Sequence, residues 1–174
     1  GEKEFSTVLV EKEQKGVTPE RMLGKMMWRA SDTAQIRFDN VKVPKAALLG
    51  QRGKGLRQML KTLDSGRLSI AAMGLGLAQG AYEHAKAYAA QRKQFGQSID
   101  KFQTIAFKLA DMAMKLELAR NTLYKACWLK DNDQPFGKEA AMAKLYCGQI
   151  AKEIADEAVQ IAGGAGLFKG NPIE

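Results

Sequence analysis

Phe102–Lys130, FQTIAFKLADMAMKLELARNTLYKACWLK, carries apolar residues at Phe102, Ile105, Leu109, Met112, Leu116, Ala119 and Leu123, spaced alternately by three and four. Such spacing lines one face of an α-helix. Two neighbouring stretches repeat the pattern. Downstream, about Gly137 to Ile161, the stripe is Ala143, Cys147, Ile150, Ile154, Ala158 and Ile161. Upstream, about Gly55 to Gln91 reads as a first helix dense in small residues, with Ala71, Ala72, Gly74, Gly76, Ala78, Gly80 and Ala81 close together. Glycine inside a helix costs roughly 1 kcal/mol relative to alanine, so these positions predict a close approach of another backbone or a flat ligand. Helices of roughly 25 to 35 residues are about 40–50 Å long. The links Lys93–Asp100 and Asp131–Phe136 are short, which makes neighbouring helices antiparallel. The predicted fold is mainly α, three long antiparallel helices whose stripes call for a fourth helix or a partner chain.

The first fifty residues differ. Phe5–Val10 (FSTVLV) is β-rich, and a polar stretch with Gly16 and Pro19 follows. Thr33–Phe38 (TAQIRF) places Ala34, Ile36 and Phe38 on one face, as in a half-buried strand. Asn40–Pro44 continues as strand or extended chain and is closed by Pro44. These are too few strands for an independent sheet. Residues 1–50 are read as the end of a β domain with earlier strands upstream of Gly1, and 51–174 as a helical domain, with Gly50, Gly53 and Gly55 at the junction.

Composition narrows the chemistry. A chain of 174 residues with 45% hydrophobic and 26% charged content can bury a core and is not a disordered one. The net charge of +8 suits an anionic partner, without choosing between nucleic acid, acidic membrane and phosphorylated cofactor. Cys127 and Cys147 sit in apolar helical patterns and read as buried thiols of a reducing compartment. The single histidine, His84, has no cysteine pair or acidic cluster at ligand spacing, so no metal site is expected. Gly53-Lys54-Gly55 lacks the remainder of a phosphate-binding loop, and no Gly-x-Ser-x-Gly elbow occurs. The apolar run Leu68–Ala78 is too short to span a bilayer, and the polar start Gly1–Phe5 shows no signal peptide.

Three clusters remain. Asp64-Ser65-Gly66-Arg67 puts an acid and a guanidinium three apart on one helix face, where a plain intrahelical ion pair is the simplest explanation. Arg92-Lys93-Gln94-Phe95-Gly96 ends the first helix with two cations, which reads as C-terminal capping. Gln160-Ile161-Ala162-Gly163-Gly164-Ala165-Gly166 ends the third helix in a glycine-rich turn, again a cap on local grounds.

Taken in order, the clusters resemble the acyl-CoA dehydrogenase family, most of all its short- and medium-chain members. The matching pieces also include Trp28–Thr33 (WRASDT), Phe38–Pro44 (FDNVKVP) and Lys108–Met112 (KLADM), so the likeness covers essentially the whole chain. The resemblance implies the end of a middle β domain followed by three of the four long helices of a C-terminal bundle. It implies flavin adenine dinucleotide (FAD) as cofactor, held by Arg92, Phe95, Gln103, Gln160, Ile161, Ala162, Gly163 and Gly164, with Arg92 reaching the FAD of a neighbouring subunit. Asp64, Ser65, Gly66 and Arg67 match the segment that contacts acyl-CoA. A homo-oligomer, a homotetramer in the parent protein, and an electron-transfer flavoprotein as acceptor are implied too. So is a bacterial cytoplasmic or eukaryotic mitochondrial-matrix location, without nucleic acid or membrane insertion.

The family reaction removes the α-proton of the acyl-CoA with a glutamate while the β-hydrogen leaves as hydride to the flavin, giving a trans-2-enoyl-CoA. No catalytic residue is assigned here. The base is expected beyond Glu174, and the stretch up to that residue is expected to be inactive alone. In a minority of members the glutamate immediately precedes the arginine of the Asp-x-x-Arg segment, where this chain has Gly66. Leu167 stands in place of a usual aromatic, and Lys169-Gly170-Asn171 in place of an acidic and aromatic pair before Pro172. Two other readings stay open: a helical-bundle interaction module without a ligand, and a DNA-associated flavoprotein relative. The cations are spread over all three helices without an aromatic-interleaved patch.

Overall fold

The computed structural model describes residues 4–173. Glu174, beyond which a base is expected, lies outside the described residues. The chain divides into two compact units, Gly1–Lys61 and Thr62–Glu174.

In the first unit β1 (Thr7–Val8), β2 (Val17–Arg21), β3 (Ala34–Phe38) and β4 (Leu48–Leu49) form two antiparallel pairs, β1 with β4 and β2 with β3. The pattern reading finds β3 but not its partner. β2 is VTPER, and Pro19, which offers no N–H, pairs opposite Ile36. The expected half-buried face of β3 is not realised: all five of its residues are exposed among the described residues. No strand runs through Asn40–Pro44, because Asn40 turns the chain at φ 49°. Gly55, expected at the junction, lies inside the first unit. Its N–H donates to the Phe5 carbonyl at 2.8 Å, and a Cβ there would stand 2.7 Å from the Ser6 backbone.

The helices are α1 (Gly55–Gln91), α2 (Gln103–Asp131) and α3 (Gly137–Ala162), within one residue of the expected bounds. The α2 stripe Met112, Leu116, Ala119 and Leu123, extended by Ala126, is buried, whereas Phe102, Ile105 and Leu109 are only half-buried. Every residue of the α3 stripe is buried. α1 adds Leu68, Ala71, Leu75, Ala78, Ala85 and Ala89. Burying a side chain such as Ile150 or Ile154 contributes about 1.5–3 kcal/mol, and the alanines let the helices close. α1 meets α3 backbone to backbone at Gly74, where an added Cβ would lie 2.8 Å from the Cys147 carbonyl oxygen.

Polar clasps flank this core. Lys115 of α2 pairs with Asp111 at 2.8 Å and with Glu153 of α3 at 3.0 Å. Lys108 pairs with Glu157, and the Arg120 guanidinium donates to Gln79 Oε1 of α1 at 2.8 Å. Cys147 is buried as expected, but Cys127 is only half-buried. Leu63, Ile70, Met73 and Leu77 of α1 and Phe107, Met114 and Leu118 of α2 form apolar rows exposed among the described residues. No described helix is long and apolar enough to cross a membrane.

The end of α1 corrects the sequence reading. Arg92–Gly96 is not a helix cap: Lys93–Gln94 (β5) and Gln97–Ser98 (β6) pair as a hairpin, with Phe95 at φ 48° and Gly96 at φ 83°. Two successive residues of positive φ make the tight turn whose twist suits adjoining strands.

Candidate functional site

The end of α1, the hairpin and the end of α3 meet at one end of the bundle. The Arg92 N–H donates to the Tyr88 carbonyl at 2.9 Å, and the Arg92 carbonyl accepts from Ile99 N–H at 2.9 Å. The backbone is thereby fixed on both sides while the residue stays exposed. At the end of α3, Gly163 donates to the carbonyls of Gln160 and Val159 and turns at φ 59°, ψ −141°, a conformation open to a residue without Cβ. A Cβ on Gly163 or Gly164 would meet nothing within 4 Å, so the chain's own packing does not fill the space over this turn.

These pieces share a cleft of about 430 Å³. Of the expected cofactor residues it brings together Arg92, Ile161, Ala162, Gly163 and Gly164. Gln103, Phe95 and Gln160 do not line it. Gln103 opens α2 and is exposed. Phe95 is 93% exposed at the hairpin tip, edge-on to Phe102 with centroids 6.2 Å apart. Gln160 serves through its carbonyl, which holds the glycine turn. Tyr88 and Ile99, outside every cluster singled out in the sequence, complete the wall together with Gln94 and Ala165, which lie within the clusters without being assigned to the cofactor. Tyr88 lies one helical turn before Arg92, a signal available from spacing. Ile99 was out of reach without the hairpin. Among the described residues no acidic side chain lines the cleft, so the Arg92 charge there has no competing carboxylate from them.

The second cluster lies far along α1. Arg67 Nη1 donates to Asp64 Oδ1 at 2.6 Å, and both residues are half-buried. Ser65 is half-buried, and Gly66 is exposed with nothing within 4 Å of an added Cβ. At about 1.5 Å per residue, Arg67 and Arg92 stand about 37 Å apart along the helix. They cannot grip the same small group. Among the described residues no three His, Cys, Asp or Glu side chains gather to hold a metal ion. Burial pushes the Cys147 thiol pKa up, which disfavours the nucleophilic thiolate.

The family model "Acyl-CoA dehydrogenase, C-terminal domain" matches residues 53–174. The chain belongs to the acyl-CoA dehydrogenase family. It is 48% identical over its full length to the probable acyl-CoA dehydrogenase YngJ of Bacillus subtilis, covering 46% of that protein. It is 44% identical, again over its full length and 46% of the relative, to the CarC subunit of the caffeyl-CoA reductase–Etf complex of Acetobacterium woodii. The solved structure of butyryl-CoA dehydrogenase from Megasphaera elsdenii superposes with a TM-score of 0.94 at 41% identity, over 98% of this chain and 44% of that one. The chain thus spans under half the length of these relatives, and its three long helices are those of the family's C-terminal helical domain.

Proposed function

We propose that the whole protein carrying this chain is an FAD-dependent acyl-CoA dehydrogenase that converts a short- or medium-chain acyl-CoA to the trans-2-enoyl-CoA in fatty acid or amino acid catabolism. The observation that carries the reading is the cleft shared by Arg92 and the Gly163–Gly164 turn. A dinucleotide phosphate fits it chemically: a guanidinium offers paired donors to phosphate oxygens, and a turn without side chains admits a close backbone. Bound flavin would supply the hydride acceptor. In this reading Gln103, Phe95 and Gln160 serve the same cofactor from the rim, or across a subunit boundary in a homo-oligomer, with a homotetramer as the expected form.

Arg67 and its partner Asp64 face the CoA portion of the substrate, with Ser65 and Gly66 on the same segment. Gly66 has no side chain to act as a base, so the glutamate that takes the α-proton comes from outside residues 64–67. Residues 1–50 form the end of the middle β domain. An electron-transfer flavoprotein is the electron acceptor, a proposal supported by the Etf complex to which the CarC relative belongs. The compartment is the bacterial cytoplasm, or the mitochondrial matrix in a eukaryote.

Anaerobic titration of the whole protein with butyryl-CoA tests this. Loss of the oxidised-flavin absorbance is the expected result. A protein isolated without flavin under mild conditions, and unable to rebind it, would overturn the reading.

A further inference from the structure

Asp64 and Gly137 lie on different helices and touch. An added Cβ on Gly137 would stand 3.1 Å from Asp64 Oδ2 and 3.6 Å from Oδ1. Oδ1 is the same oxygen that receives Arg67 Nη1 at 2.6 Å. Anything that displaces the Asp64 carboxylate therefore acts on the bond that orients the guanidinium.

Gly137 is the first residue of α3, and Phe136 before it provides no side-chain cap. The first turn of a 26-residue helix thus meets a carboxylate delivered by α1, a placement favoured by the positive helix end. Glu139 in the same turn adds a second acid there. Both members of the Asp64–Arg67 pair are half-buried, so their geometry is more restricted than that of a solvated surface pair.

We infer that Gly137 is a positioning residue for Arg67: its missing side chain lets Asp64 sit against the start of α3 and hold the guanidinium ready for CoA. Two helices act as one unit, with Gly137 of α3 setting Asp64 of α1 and Asp64 setting Arg67. Gly137 itself touches no substrate. The inference rests on the proposal that Arg67 faces CoA, and it adds a determinant of CoA affinity on a second helix.

The test uses the whole protein, titrated with free CoA and assayed with butyryl-CoA. Gly137→Ala is expected to weaken CoA binding and raise KM about three- to tenfold, the size of coupling between contacting residues. Flavin content should be unchanged and kcat should stay within about twofold, because a remote binding contact acts on substrate and transition state alike. In an Asp64→Ala background, where neither the carboxylate nor its bulk remains beside the start of α3, the same Gly137→Ala change should have under about a twofold effect. Wild-type CoA affinity in Gly137→Ala would overturn the inference, as would an equal loss in both backgrounds. A wild-type protein that binds no CoA at all would overturn the dehydrogenase reading and this inference with it.

Discussion

Gly74 and Gly76 stand two positions apart on α1 and are glycine for different reasons. A Cβ at Gly74 would press on the α3 backbone at 2.8 Å, whereas one at Gly76 would meet nothing within 4 Å. Gly74→Ala is therefore expected to destabilise the protein by about 1–3 kcal/mol through overpacking. Gly76→Ala should be neutral or should stabilise it by up to about 1 kcal/mol from helix propensity. Urea unfolding of both variants reads the contrast. The density of small residues announced a close approach, and it occurs at Gly74, but glycine carries no hydrophobic mark to show which of three faces toward a neighbour. The site residues were legible to a similar degree. Arg92 and the glycine turn were named through resemblance, whereas Tyr88 enters the cleft by a helical turn that no motif records.

Elements were legible where periodicity was long. Three helices were bounded to within one residue because their stripes persist over many turns. Short strands failed for the opposite reason: β2 holds Pro19 and little apolar content, and β5 and β6 are two residues each. At the α2–α3 seam, Lys115 hydrogen-bonds first to Asp111 and then to Glu153, and these bonds hold its ammonium pKa well above the ordinary lysine value. A raised folded-state value means that the contribution is complete below the unfolded lysine pKa of about 10.4 and is lost as pH climbs through the higher folded value. Lys115→Met should cost roughly 0.5–1 kcal/mol at neutral pH. Unfolding curves measured across pH should keep wild type ahead of the variant up to about pH 10, with the gap closing only in stronger alkali.

Across the molecule, the charged cluster on α1 and the one just past its end lie too far apart to serve one small ligand. On the proposed reading the Asp64–Arg67 pair meets CoA and the Arg92 cleft meets FAD, two separate molecules that both carry phosphate. A homo-oligomer in which Arg92 of one copy serves the cofactor of the next gives this spacing a purpose. The exposed apolar rows of α1 and α2 are of the kind that such assembly covers. The net charge of +8 is then in part a complement to those phosphates.

On the proposed reading Arg92, set against the glycine turn, holds the dinucleotide half of the flavin cofactor. Equilibrium binding of FAD and of FMN to the deflavinated whole protein, wild type and Arg92→Ala, tests it most directly. Wild type should prefer FAD. Removing one charge-assisted contact worth about 1.5–3 kcal/mol should weaken FAD binding about 10- to 100-fold and leave FMN binding nearly unchanged. An Arg92→Ala protein that binds FAD as tightly as wild type would contradict the account.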